Sequence, residues 1–382
     1  MQSNRKIIYL AGFLFSIPIA LTSYINSSFL KTYISEYYLG GLYAFASIIT
    51  IWGFLKMPKV LNRLGNQLVS FLLSFLIFLS LLLLAFGHNK FLVIFAFILY
   101  FISSNLIIAS LDIFVEDFSK SSSIGKFRGL YLMIINSAWM IAQIISGSII
   151  ARSSFKGIYL FSAGVMVLVS AIFILFLHNF KDPKYKKVSI KKTFKFFTEN
   201  GHASKIYLIN FILKFFYVWM IIYTPIYLNE YLHFDWRQIG IIFAVMLIPF
   251  VILDFPLGKL SDKIGEKKML ISGFIIGIIF VLAMPLAVKA HLWLWALILF
   301  GTRTGAAIIE VMSESYFFKI INAENSEAIA FFRNNYPLAY IVAPLLAIPI
   351  LLLIPSFKFI FYILGAILLC GLFVALRLKD VK

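Results

Sequence analysis

The chain is poor in what a water-soluble protein needs. Only 13% of its 382 residues are charged and 62% are hydrophobic, against about a quarter and about a half in ordinary soluble domains. Too few polar side chains remain to cover a folded exterior, so the surrounding solvent must be largely lipid. The single cysteine, Cys370, excludes a disulfide framework, a cysteine zinc cluster and a Cys-x-x-Cys redox site. Five histidines, His88, His178, His202, His233 and His291, are scattered without metal-like spacing. There is no Gly-x-x-x-x-Gly-Lys-[Ser/Thr] loop to cradle ATP, which rules out an ATP-driven pump. No cofactor is expected.

Acids are scarce as well: Lys+Arg number 34 and Asp+Glu 16, a formal charge of +18. In a soluble protein that balance would suggest nucleic acid. Here the cations sit in short clusters between long apolar runs, and no element is left to read phosphates. The runs are continuous, not alternating, so they are helices and not barrel strands. They predict twelve spans: 7–30, 38–57, 67–86, 91–114, 129–151, 158–178, 205–229, 238–258, 269–288, 292–315, 329–352 and 358–377. The first follows Arg5 and Lys6 as a signal peptide would, but its apolar core is too long and it reads as a retained helix. With the N-terminus inside, the cytoplasmic segments and the span ends that adjoin them hold 25 Lys+Arg, the outer loops and their adjoining span ends seven, and the span interiors two, Lys214 and Arg303. The positive-inside bias then places both termini in the cytoplasm of a multi-pass protein of the cytoplasmic membrane.

The expected fold is an all-α membrane protein of two six-helix bundles, 1–178 and 205–382, joined by a basic cytoplasmic linker over 179–204. Lysines around 190–197 of that linker suit a surface-lying amphipathic helix on the lipid bilayer. The halves look like copies. At an offset of 200 residues, Gln238-Ile239-Gly240 falls on Tyr38-Leu39-Gly40 and Gly265 on Gly65; at 198, Glu310 falls on Asp112, Glu314 on Glu116 and Arg303 on Asn105. Repeats of six helices with a ligand site near mid-bilayer are the architecture of alternating-access transporters.

Between the eighth and ninth spans the chain reads Gly258-Lys259-Leu260-Ser261-Asp262-Lys263-Ile264-Gly265-Glu266-Lys267-Lys268. This resembles motif A of the major facilitator superfamily, Gly-x-Leu-[Ser/Ala]-Asp-[Arg/Lys]-x-Gly-[Arg/Lys]-[Arg/Lys]. The resemblance covers essentially the whole chain and implies a secondary active transporter acting as a monomer, not an enzyme. It also implies a cytoplasmic latch at Gly258, Asp262, Lys263, Gly265, Lys267 and Lys268, with Asp254 one turn earlier and Glu314 nearby. The matching first-half loop is degraded: Pro58, Lys59, Asn62, Arg63, Gly65 and Asn66 stand there, with Asn62 in place of the motif aspartate. The fifth span lacks the Gly-Pro pair that similar proton-driven drug exporters carry.

Ionisable residues inside a span are costly and normally face a cavity or a partner. Lys214 and Arg303 lie near mid-helix, and two cations there suit an anionic solute or a buried carboxylate. Glu310, seven residues from Arg303 on nearly the same face, is the proton-coupling candidate, with Asp112 as its first-half counterpart. An alternative use of the acids is a cytoplasmic gate in which Asp254, Asp262, Glu310 and Glu314 pair with Lys259, Lys263 or Lys319. Neutral candidates are Tyr24, Asn26, Ser104, Asn105, Asn136, Trp139, Gln143, Asn335 and Tyr336, which suit hydroxyls or amides of a small solute or bonds between helices. Pro225, Pro249, Pro337 and Pro344 are candidate kinks. The expected activity is proton-coupled movement of a small solute by alternating access. A membrane-embedded enzyme and a transport-inactive receptor or scaffold are the alternatives.

Overall fold

The computed structural model describes residues 2–118, 124–177, 180, 182, 185, 200–253, 256–257, 264–287, 291–320, 332 and 334–379. Among these, every regular element is helical. Two compact units form, Met1–Lys187 and Val188–Lys382. Among the described residues, ten segments are long and apolar enough to cross a bilayer. One of them, Met133–Phe176, holds two crossings, and the shorter apolar helix Trp236–Ile252 is a further one, so the architecture accords with twelve spans. The proposed surface helix at 190–197 lies outside the described residues.

In the N-terminal unit the helices are α1 (Gln2–Ser23), α2 (Asn26–Lys31), α3 (Glu36–Leu64), α4 (Asn66–Phe86), α5 (Lys90–Phe118) and α6 (Ile124–Phe176). The first span is not the single helix expected over 7–30: it breaks at Tyr24 and Ile25. Pro18 removes a backbone donor, and two hydroxyls compete for the helix carbonyls. Thr22 Oγ1 donates to the Pro18 carbonyl (2.8 Å) and Ser23 Oγ to that of Ile19 (2.6 Å). The 53 residues of α6 would make a rod of about 80 Å if straight, far beyond a bilayer. Ser154, at φ 56° and ψ −167°, reverses the chain and divides it into the fifth and sixth crossings.

The C-terminal unit comprises α7 (Gly201–Ile226), a π turn (Tyr227–Tyr231), α8 (Trp236–Ile252), α9 (Glu266–Ala283), α10 (Leu292–Ile320), α11 (Asn335–Leu353) and α12 (Ile360–Leu376). Local chemistry sets the boundaries. The Asn200 side chain accepts from the His202 and Ala203 N–H groups to start α7. Asp235 and Gln238 form a reciprocal capping box that starts α8 two residues before the expected 238. Pro225 precedes the π turn, as a missing donor near a helix end allows. Pro337 is not a kink: α11 begins at Asn335, so the proline sits in the first turn, where its missing N–H costs nothing.

The repeat seen at an offset of 200 has a structural counterpart. Gly65 (φ 76°) and Gly265 (φ 89°) are the positive-φ glycines of the described residues, and each caps the third span of its unit, α4 and α9. The residue after each is buried and bonded to the fourth span, α5 or α10. Asn66 Nδ2 donates to the Ser110 carbonyl on α5 at 3.0 Å. Glu266 Oε1 takes Lys319 Nζ at 2.6 Å and Ser315 Oγ at 3.1 Å, both from α10.

Close backbone approach holds α9 against α10. A Cβ placed on Gly305 would stand 2.6 Å from the Gly273 carbonyl oxygen and 2.6 Å from the Gly277 nitrogen. Small residues spaced four apart on facing membrane helices permit this contact, which draws on packing because lipid offers no hydrophobic drive between helices. Gly305→Val is therefore expected to lose most of its folded, monodisperse yield in fluorescence-detected size exclusion. Gly164→Ala, where a Cβ meets nothing within 4 Å, should match the parent; equal yields for both variants would contradict the packing argument.

Candidate functional site

One face of α7 carries Tyr207, Asn210, Lys214 and Tyr217, spaced three, four and three residues apart. One face of α10 carries Arg303, Glu310 and Ser313, spaced seven and three apart. These faces meet. Lys214 Nζ lies 2.5 Å from Glu310 Oε1, and Tyr217 donates its hydroxyl to Glu310 Oε2 at 2.9 Å. Both oxygens of the carboxylate are thus engaged, one by a cation and one by a neutral donor. The guanidinium of Arg303 stands 5.2 Å from the ring centroids of Phe216 and Tyr217, and Arg303 also acts electrostatically on Glu310. Cation–π contacts of this kind contribute about 0.5–2 kcal/mol depending on desolvation. Glu314 and Tyr336 are near enough to Lys214 to act on its charge.

Position along the helices puts the cluster inside the bilayer. Lys214 is 13 residues from the start of α7 and Arg303 is 11 from the start of α10, about 20 and 16 Å at 1.5 Å per residue. Arg303 is 2% exposed, whereas the Lys214 and Glu310 side chains retain 17% and 29%. The arginine is embedded in the helix packing, and the ion pair borders accessible space. With Glu314, whose charge reaches Lys214, the cluster pairs two cations with two acids.

One layer away, the cluster is backed by a neutral network. Asn335 Nδ2 donates to Asn210 Oδ1 (3.1 Å) and to the Tyr207 carbonyl (3.3 Å), Asn210 Nδ2 donates to Ser313 Oγ (3.3 Å), and Ser313 Oγ donates to the Glu310 carbonyl (3.1 Å). It ties α7, α10 and α11 together around the residue that carries the carboxylate. Tyr336, one residue on, pairs edge-on with Tyr340.

The first-half candidates meet different surroundings. Gln143 Nε2 donates to the Ala20 carbonyl at 2.7 Å, in the last turn before α1 breaks, and Tyr159 donates to Asn26 Oδ1 at 3.0 Å just beyond it. Tyr24 meets the Trp139 ring edge-on at 6.4 Å. These four candidates surround the break in the first span. Asn105 donates back to the Phe101 carbonyl of its own helix (2.8 Å), and Asn136 is half-buried on α6. Asp112 acts on Tyr131, whose ring packs where a Gly12 Cβ would stand. The repeat aligns Arg303 with Asn105 and Glu310 with Asp112, and the residue 198 before Lys214 on the first helix is Ser16, not a cation.

The gate pairing expected around Lys319 takes another form. Lys319 pairs with Glu266, a buried acid not singled out as a site residue, and Glu310 pairs with Lys214 instead of a loop lysine. The reason is reach: Lys319 is nine residues past Glu310 and lies beside the start of α9. Gly265, Lys267 and Lys268 are placed at that start; Asp254, Gly258, Lys259, Asp262 and Lys263 lie outside the described residues. In the first half, where Asn62 replaces the motif aspartate, a carboxylate arrives from beyond the sixth span. Asp182 Oδ1 accepts from the Asn66 N–H (2.7 Å) and the Tyr185 hydroxyl (2.6 Å), while Asn62 donates to the Tyr185 carbonyl (3.0 Å). The left-handed glycine leaves room for it, since a Cβ on Gly65 would meet Asp182 Oδ2 at 2.7 Å. Asn210, Tyr217, Ser313 and Glu266 were missed by sequence reasoning. The period of α7 carried the signal for the first two, which share a face with Lys214.

A family model described as Major Facilitator Superfamily matches residues 8–236 and 206–382. No curated protein matches in sequence. Among solved structures, a bacterial homologue of the iron transporter ferroportin, in an inward-facing state, has a TM-score of 0.75 at 14% identity, covering 99% of this chain and 98% of its own. A bacterial homologue of the human lysosomal transporter Spinster, inward-facing and unoccupied, scores 0.71 at 12% identity, covering 97% and 92%. At these identities the likeness is one of fold.

The ion pair predicts strong coupling between its members. In a double-mutant cycle, Lys214→Met and Glu310→Gln should each lower the unfolding midpoint in detergent, and the double variant should lose less than their sum, with a coupling of about 1–3 kcal/mol. Strictly additive losses would show that the two side chains do not pair.

Proposed function

This chain belongs to the Major Facilitator Superfamily and is a membrane transporter, and from that premise we propose that it carries a small anionic solute together with a proton by alternating access. The observation that supports this reading is the Lys214–Glu310 pair at 2.5 Å, bordering accessible space, with Arg303 beside it. An anion entering the cluster competes with Glu310 for Lys214. The displaced carboxylate, in a region of low dielectric, is neutral once it takes a proton. Lys214 and Arg303 then hold the solute and Glu310 holds the proton, so the loaded cluster carries the same net charge as the empty one for each monovalent anion. Release of both restores the ion pair. Arg303, fixed by the rings of Phe216 and Tyr217, supplies a constant attraction while Lys214 exchanges partners.

The same reading puts both termini in the cytoplasm, because 25 of the 34 Lys+Arg then face inward. It has the chain working as a monomer in the cytoplasmic membrane. Its driving force is an ion gradient, since no nucleotide-binding loop exists.

Uptake into proteoliposomes across a panel of small carboxylates, phosphates, neutral solutes and cations, with and without an inward proton gradient, tests this. Accumulation of an anion that rises with the gradient and is matched by internal acidification is expected. Glu310→Gln should keep solute exchange at equal pH and lose gradient-driven accumulation by about tenfold or more. Transport confined to cations or neutral solutes, or unaffected by the gradient, would overturn the proposal.

A further inference from the structure

We propose that the exposed face at the C-terminal end of α3 is a docking site for the headgroup of an anionic phospholipid. Trp52, Lys56, Lys59 and Arg63 are separated by four, three and four residues, which places them in one stripe along the helix. All four are exposed, Trp52 at 61%. The opposite side of α3 buries Met57 and Leu61 against Val69 of α4. That packing fixes the rotation of α3 and turns the stripe away from its own unit.

Charge then selects the occupant. The three cations fall in the last three turns of a helix whose acid, Glu36, lies at the opposite end and is paired with Lys31 at 2.6 Å. Asp182, in the loop beyond, directs its carboxylate to the Asn66 N–H and the Tyr185 hydroxyl. Among the described residues, Lys56, Lys59 and Arg63 form no ion pair. Side chains three and four apart on a helix are about 5–6 Å apart at Cβ, so neighbouring cations of the stripe reach a single phosphodiester.

The depth suits a lipid. The stripe occupies the end of a membrane-spanning helix, where headgroups lie, and Lys56 Nζ sits 5.7 Å from the centroid of the Trp52 ring. Tryptophan concentrates at this interface because its ring is apolar and its N–H is polar. Towards mid-bilayer, exposed Ile48 and Phe45, four and seven residues before Trp52, continue the same side, offering an apolar track for an acyl chain. A soluble anion would use the cations and leave that track empty. The stripe reuses Lys59 and Arg63 of the degraded first-half motif, so the loop that lost its aspartate keeps a role for its cations.

The test uses the full-length protein, delipidated in detergent and titrated with phosphatidylglycerol or with phosphatidylcholine of the same acyl chains, with bound lipid counted by native mass spectrometry. Phosphatidylglycerol should bind about tenfold or more tighter, and Lys56→Gln/Lys59→Gln/Arg63→Gln should abolish the preference, each cation contributing about fivefold. A control that removes three cations elsewhere, Lys90→Gln/Lys156→Gln/Lys358→Gln, should keep it. If the triple variant does not fold, Lys56→Gln alone carries the test with its fivefold loss. An unaltered preference in the stripe variants, an equal loss in the control, or no preference in the parent protein would overturn the proposal.

Discussion

A charge without a partner is the costliest thing a membrane helix can carry, and the C-terminal unit is organised around meeting that cost. Removing one member of a well-buried ion pair costs about 3–5 kcal/mol, and the pair here is partly accessible, which softens the penalty without removing it. Lys214 and Glu310 neutralise one another across α7 and α10, Tyr217 occupies the second carboxylate oxygen, and Arg303 is held by two aromatic faces. The neutral network from Asn335 through Asn210 to Ser313 fixes the helices that carry the charges. The close crossing at Gly305 does the same for α9 and α10, two residues from Arg303. The pair is thus held from several sides and still borders accessible space.

The two units share a plan and differ in chemistry. Each begins its third span at a left-handed glycine and bonds the following residue to its fourth span. The C-terminal unit does this with an ionised residue, Glu266, held by Lys319; the N-terminal unit does it with Asn66 and borrows the Asp182 carboxylate from the chain after its sixth span. Inside the bilayer the contrast repeats. The N-terminal unit surrounds a broken first span with hydroxyls and amides such as Thr22, Tyr100, Asn26, Tyr159 and Gln143, whereas the C-terminal unit holds the charged cluster. Duplicated architecture here carries divided chemistry, with neutral polar groups around the first span of one half and ionised groups between helices of the other.

Much of the fold was legible because the bilayer imposes a coarse rule, about 20 apolar residues per crossing. Where the structure departs from that reading, short-range chemistry intervenes: Thr22 and Ser23 break α1, Ser154 turns inside α6, and Asp235 with Gln238 starts α8 early. The charged candidates were visible singly, because an ionisable residue in an apolar run stands out. Their pairing was not, since it depends on how α7 and α10 rotate against each other, and a hydropathy pattern without polar contrast on most faces does not encode that rotation. Tyr217 and Asn210 were hidden for a related reason: they are ordinary in composition and become notable only when counted on the face that carries Lys214. Gln143 suited either a solute or a bond between helices; its hydrogen bond goes to a backbone carbonyl beside a helix break, a partner that cannot be named without knowing that the break exists.

The central claim is that Glu310 is an ionised partner of Lys214 until an anion takes the lysine. Infrared difference spectroscopy, comparing the parent protein with Glu310→Gln, reads the state of that carboxyl group directly. The account predicts carboxylate bands at neutral pH in the empty protein, replaced by the carbonyl stretch of a protonated acid when the transported anion saturates the site. A carboxyl group already protonated in the empty protein, or one that stays ionised at saturation, would contradict it.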